Sequence, residues 1–168
     1  NAGIGGDDNL FSGSSKNINN ILNTNIKGVT NVIMPFIPIM KSQNYGTLVS
    51  VSSVASYMPL PFHGGYASSK IAIRRIFDSW RPSLQKYNLK LVSICPGFID
   101  TPMVKGPARN FPLQKADHAA KKFIHAIDKG KNNFVYPKYY YFLIWLFNFT
   151  PMWFYNWFIK KMFSKPFN

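Results

Sequence analysis

The sequence contains no glutamate: all six acidic residues are aspartates, set against 20 lysines and arginines for a formal charge of +14. Cys95 is the lone cysteine, so no internal disulfide can form and nothing in the chain calls for an oxidising compartment. Three histidines, His63, His118 and His125, lack metal-ligand spacing, and no metal is expected. The positive charge is spread from Lys16 to Lys165 without a dense block. Neither zinc-finger spacing nor an aromatic RNA-binding signature accompanies it, which excludes nucleic acid as the expected partner. No N-terminal signal peptide is visible.

What remains is a chain of 168 residues, 46% apolar, long enough for one domain with its own core. Between Ile18 and Met40, Ile18, Ile21, Leu22, Ile26, Val29, Val32, Ile33 and Phe36 recur at helical spacing, with Pro35 and Pro38 placed to bend or end the helix. A β-prone run covers 47–53, and a loop with Pro59, Pro61, Gly64 and Gly65 follows. A second helix is expected over 66–87, burying Ile71, Ile73, Ile76, Phe77 and Leu84, with Pro82 kinking its last turns. Residues 90–95 form a strand stopped by Pro96-Gly97, and 101–113 read as a mobile loop. A helix over 115–129 and a last strand at 133–136 complete the pattern. Strands that are apolar runs, separated by helices, indicate a parallel α/β sheet.

Tyr66-Ala67-Ser68-Ser69-Lys70 sets a phenol and an ammonium four residues apart, hence on one helical face. A phenol is a poor base at neutral pH, and a nearby cation is expected to lower its pKa toward proton exchange with an alcohol or carbonyl. Ser53 ends a strand shortly before, so its hydroxyl is expected at the C-terminal edge of the sheet, where open α/β folds bind ligands. There it can donate to a carbonyl oxygen as charge develops. Pro96-Gly97 ends the next strand, where a residue without a side chain lets backbone approach a flat cofactor ring.

Taken in order, these segments resemble the short-chain dehydrogenase/reductase family. Ser53, Tyr66 and Lys70 match its active-site order and spacing, and Asn1-Ala2-Gly3 matches the end of an Asn-Asn-Ala-Gly motif. Asn25 matches its helical active-site asparagine, and residues 96–103 resemble its cofactor-covering segment. The likeness covers 1–137. It implies a Rossmann-like, doubly wound parallel sheet, and an oxidoreductase passing hydride between NAD(P)(H) and a small-molecule alcohol or carbonyl. It also implies roles: Tyr66 as general acid or base, Lys70 on the phenol and the nicotinamide ribose, Ser53 on the carbonyl, and Asn25 holding a relay water. Asn1, Ala2 and Gly3 would line the adenosine side of the cofactor, while Pro96, Gly97, Ile99 and Thr101 would meet its nicotinamide end.

The family's first strand and Gly-rich phosphate loop have no counterpart here. Gly3-Ile4-Gly5-Gly6 lacks a preceding strand and the last glycine of that pattern, so it reads as the loop after a fourth strand outside this sequence. The expectation is therefore the C-terminal portion of the fold, with an exposed sheet edge and weak dinucleotide binding by these 168 residues alone. The residue that selects NAD or NADP is not readable, and NADP is placed ahead of NAD. The rival reading is a non-catalytic remnant of the family, membrane-associated or inert.

Residues 138–168 form a separate aromatic, basic tail. From Tyr139 to Ile159 there are 21 consecutive uncharged residues, 12 of them aromatic. Asn148, Thr150, Pro151 and Asn156 interrupt the run, and its Trp and Tyr content suits a membrane interface more than a hydrocarbon core. A kinked helix pair lying in a membrane surface is the first reading. Packing over the substrate entrance or in a homo-oligomer interface, and a true span, are the others. A cytoplasmic protein held peripherally on the membrane, acting on a lipid-like substrate, is the resulting expectation.

Overall fold

The computed structural model describes residues 1–162. Its sheet has three parallel strands in the order β1 (Gly46–Val51), β2 (Leu89–Pro96), β3 (Asn133–Tyr136). Val51 lies opposite Ile94, and Pro96 opposite Tyr136. Central strand β2 is buried on both faces, which is why its sequence, Leu91-Val92-Ser93-Ile94-Cys95, runs apolar instead of alternating. β1 is an edge strand, as the sequence suggests.

Helices cover both faces. On one, helix α4 (Gly64–Gln85) lays Ile73 and Phe77 against Leu48 and Leu91, and Ile33 joins them from the helical stretch before β1. Phe77 is fully buried, worth about 1.5–3 kcal/mol relative to exposure. On the other, α5 (Ala116–Asp128) packs Ala119 and Ala126 against Val92, Ile94, Phe134 and Tyr136. The even and odd residues of β2 thus serve opposite faces, the period of a strand.

The stretch over 16–43 is not one bent helix. It comprises α1 (Lys16–Leu22), a π-helical segment (Asn23–Gly28), α2 (Val29–Ile33) and α3 (Phe36–Gln43). Pro35 interrupts the helix, as expected, whereas Pro38 sits in the first turn of α3, where its missing N–H costs nothing. The buried face carries on across the break: Ile26, Val29, Ile33, Ile37 and Met40 pack inward at three- and four-residue spacing, while Val32 and Phe36, also at helical spacing, are exposed.

The helix α4 runs through Pro82 to Gln85, close to the expected end, but Ile71 is exposed instead of buried. Ile71 points toward the loop after β1, off the stripe formed by Ile73, Ile76 and Phe77. The loop over 101–113 holds a short 3-10 helix (Gly106–Asn110) and is tied down by a stacked Phe98–Phe111 pair at 4.8 Å and an Arg109–Asp100 ion pair at 2.8 Å.

The tail is a helix pair, α6 (Tyr139–Phe149) and α7 (Met152–Met162), broken at Thr150-Pro151 as its sequence suggests. It is not detached from the sheet. Tyr140 and Ile144, one turn apart, are buried against Cys95 and Val135. Among the described residues no helix is long and apolar enough to cross a membrane.

Candidate active site

Strand β1 ends at Val51, and the chain turns at once into a 3-10 helix (Val54–Ser56) for which Ser53 is the N-cap. The Ser53 hydroxyl accepts from Ala55 N at 3.1 Å and lies 3.4 Å from Pro96 O, to which it donates. It thus bridges the C-terminal ends of the two neighbouring strands. The turn is braced from beneath: buried Arg74 donates from Nε to Ser56 Oγ at 3.0 Å and from Nη2 to Ser56 O at 2.7 Å, and stacks on Tyr57.

Tyr66 and Lys70 lie on the first two turns of α4. The Lys70 ammonium stands 5.6 Å from the Tyr66 ring centre and donates to Val51 O at 2.9 Å, at the end of β1. Ser52 Oγ donates to Lys70 O at 2.9 Å, fixing the helix to the strand end. Burial pushes the Tyr66 phenol above its ordinary value, and a hydrogen bond with Ser53 pulls it back toward the phenolate. The sequence suggests a lowered phenol; desolvation decides the direction instead. Burial also pushes the Lys70 ammonium below its ordinary range, with the neighbouring Cys95 acting the other way.

Asn25 sits in the π-helical segment, a widened turn that often marks functional positions. Its carboxamide is buried and committed: Oδ1 accepts from Ile4 N at 2.8 Å, and Nδ2 donates to Ile4 O at 2.9 Å and to Ser69 Oγ at 3.0 Å. Asn25 therefore clamps the opening segment onto α4. A side chain on Gly3 would meet both Asn25 Oδ1 and Lys70 Nζ at 3.3 Å, so the absence of one lets this segment lie against the lysine. Asn1 and Ala2, just before it, are exposed.

The segment after β2 is placed differently from the sequence reading in one respect. The space a Gly97 side chain would need is filled by the ring of Tyr140 from α6. The glycine is required by the tail. Ile99 packs onto the core beneath α5 and bridges to Gln114, and the Thr101 hydroxyl donates to Ile99 O at 3.3 Å.

One site residue escapes sequence reasoning. Asp8 is buried, and its carboxylate accepts from Gly64 N at 2.6 Å and Gly65 N at 2.9 Å, closing the N-terminus of the helix that bears Tyr66. The available signal is an absence: His63, at the N-cap, makes no side-chain capping bond, so the first-turn N–H groups need a partner from elsewhere. A cavity of about 550 Å³ also opens between the loop 56–60, the outer face of α4 and Asn148 of α6. Neither Tyr66 nor Lys70 lines it; it adjoins the site without containing it.

Residues 1–110 match the family model described as short chain dehydrogenase. The chain is 35% identical over 105 residues to the 3-oxoacyl-[acyl-carrier-protein] reductase of Thermotoga maritima, covering 62% of this chain and 43% of that protein. It is 29% identical over 146 residues to human 17-beta-hydroxysteroid dehydrogenase 13, covering 84% of this chain and 49% of that one. The chain thus spans less than half the length of these relatives. In fold it resembles a short chain dehydrogenase of Burkholderia cenocepacia solved with NADP, with a TM-score of 0.76 at 22% identity over 99% of this chain and 67% of that one.

Proposed function

The chain belongs to the short-chain dehydrogenase family, and from that premise we propose that the protein is a nicotinamide-dependent oxidoreductase interconverting an alcohol and a carbonyl. The observation that carries this reading is the convergence of Ser53, whose hydroxyl bridges the ends of β1 and β2, with Tyr66 and Lys70 on the first turns of α4, where the ammonium stands 5.6 Å from the phenol ring. Ser53 donates to the substrate carbonyl oxygen, giving up its long bond to Pro96 O. Tyr66, kept protonated by burial, passes its proton to that oxygen as charge develops on it. A reduced nicotinamide, when bound, would supply the hydride for the carbonyl carbon. Lys70 stabilises the phenolate left behind, and Asn25, with both Nδ2 protons spent on Ile4 O and Ser69 Oγ, has the second lone pair of Oδ1 left for the water through which the proton is restored.

The residues present suit such a cofactor. An ammonium has three N–H donors, so Lys70 can keep Val51 O and still reach ribose hydroxyls. Asn1, Ala2 and Gly3 lie on one side of it as candidates for the adenosine end. Pro96, Gly97, Ile99 and Thr101 follow β2 as candidates for the nicotinamide end. NADP is placed ahead of NAD, supported by the NADP held by the Burkholderia fold relative. A lipid-like substrate is favoured by two relatives named for a 3-oxoacyl group and a 17-beta-hydroxysteroid. A homo-oligomer is part of the proposal, supported by the exposed Val32, Met34, Phe36 and Ile39.

The test is Tyr66→Phe, assayed for NADPH-dependent reduction of apolar ketones. The ring is kept and the proton removed, so turnover should fall by roughly 100-fold to 10,000-fold with the melting temperature unchanged. Wild-type turnover in this variant would overturn the assigned chemistry.

A further inference from the structure

Helices α6 and α7 each touch the rest of the molecule along one narrow stripe. In α6 the stripe is Tyr140, Ile144 and half-buried Phe147, with Tyr141 at its edge accepting from Val135 N at 3.1 Å; in α7 it is Tyr155 and Ile159. The two stripes meet where the Phe147 and Tyr155 rings cross at 5.4 Å, and Tyr155 Oη donates to Pro59 O at 2.9 Å. The opposite faces are exposed and aromatic: Trp145 at 57%, Phe149 and Trp153 at 71%, and Trp157 at 53%, with Phe142, Leu146, Phe154 and Phe158 between them. An apolar patch of this extent is far from an ordinary solvated surface.

Three properties select its occupant. Each helix has 11 residues, about 16 Å of length at 1.5 Å per residue, against roughly 30 Å of hydrocarbon core, so neither spans. Trp145, Trp153 and Trp157 stand on the exposed face among phenylalanines, and Trp is a residue that settles at the headgroup level. Lastly, no acidic residue follows Asp128, while Lys129, Lys131, Lys138, Lys160, Lys161 and Lys165 do, and Lys138 and Lys160-Lys161 bracket the aromatic face. We propose that the outer face of α6 and α7 is a docking surface for an anionic lipid bilayer, the two helices lying in its interface with their lysines among the headgroups. The inner stripes reach Gly97, next to the Pro96 carbonyl that Ser53 bonds, and Pro59 in the loop after β1, so on docking one helix thickness separates this border of the site from the lipid. This surface does not depend on the oxidoreductase reading and is testable without turnover.

The experiment is flotation of the protein with phosphatidylcholine vesicles, with and without phosphatidylserine, at low and high salt. The protein should float with the anionic vesicles, with a blue shift of Trp emission, and bind them on the order of tenfold more weakly at high salt. Lys160→Gln with Lys161→Gln should weaken that binding roughly 10- to 30-fold, from about 1 kcal/mol per lysine at the surface. Trp153→Ser with Trp157→Ser, at exposed positions, should abolish it while circular dichroism stays unchanged. Failure to float with either vesicle, or undiminished binding by the tryptophan pair variant, overturns the proposal. So does a dimer in lipid-free solution that the tryptophan pair variant converts to monomer, since the face would then be an interface between copies.

Discussion

The ring of Tyr140 occupies the space into which a side chain on Gly97 would project. Gly97 N also donates to Tyr136 O at 2.7 Å, and Tyr140 is itself buried against Cys95 and Val135. The aromatic tail and the segment bordering the site are therefore one packing unit. Gly97→Ala should cost about 1–3 kcal/mol of unfolding free energy by overpacking. In a Tyr140→Ala background the same change should cost much less, because the obstructing ring is gone. Denaturant unfolding of the four variants checks this, and equal costs in both backgrounds would separate the two residues.

Asp8 holds the helix that carries Tyr66 through two backbone N–H groups contributed from 56 and 57 residues away. Asp8→Ala removes both acceptors and should destabilise the protein by about 1–2 kcal/mol, the upper part of the range for a lost cap. Asp8→Asn keeps one acceptor oxygen and should lose less. Thermal unfolding ranks them. Equal stability of the alanine variant and wild type would mean that α4 does not need this cap.

The order of these effects explains what the sequence makes legible. Tyr66 and Lys70 stand out because one helix period joins them, Ser53 because it ends a strand shortly before, and Asn25 only through the family resemblance, while β3 is bounded at Asn133 and Tyr136 as its sequence suggests. The Asp8 cap and the Gly97–Tyr140 fit join distant segments, and no local pattern encodes either. Val32 and Phe36 mislead for a related reason: they are four residues apart and so fit a helical stripe, but the stripe that meets the sheet is that of Val29, Ile33, Ile37 and Met40. The π-helical turn around Asn25 hides inside an unbroken helical period.

Asp78 joins three arginines of α4, Arg74, Arg75 and Arg81, to the first residue of β3. Arg81 Nη1 donates to it at 2.9 Å and Asn133 Nδ2 at 3.1 Å, with Arg74 at 3.9 Å. Burial alone would raise its carboxyl, but the bonds from Arg81 and Asn133 and the charges of Arg81 and Arg74 hold it below the ordinary carboxylate range. A folded-state pKa below the unfolded one gives stability that is complete above the unfolded value and lost as pH falls through the folded one. Asp78→Asn should therefore cost about 1–3 kcal/mol at neutral pH, and the gap to wild type should close in acid. Chemical denaturation across pH reads both; a gap that persists in acid would assign the effect to packing.

Carbonyl reduction needs the proton on Tyr66, and burial holds that phenol above its ordinary value of about 10. The reductive rate should therefore be flat through neutral pH and fall only on the far alkaline side. The Ser53 hydrogen bond favours the phenolate, so Ser53→Ala should move the alkaline limb still higher while lowering the rate roughly 100-fold through loss of a donor to the carbonyl oxygen. The two effects have separable signatures: the limb reports Tyr66 in the free enzyme through kcat/KM, and the height reports the donor. A limb that moves down in Ser53→Ala would mean that the serine stabilises the protonated phenol, reversing the electrostatic role assigned to it.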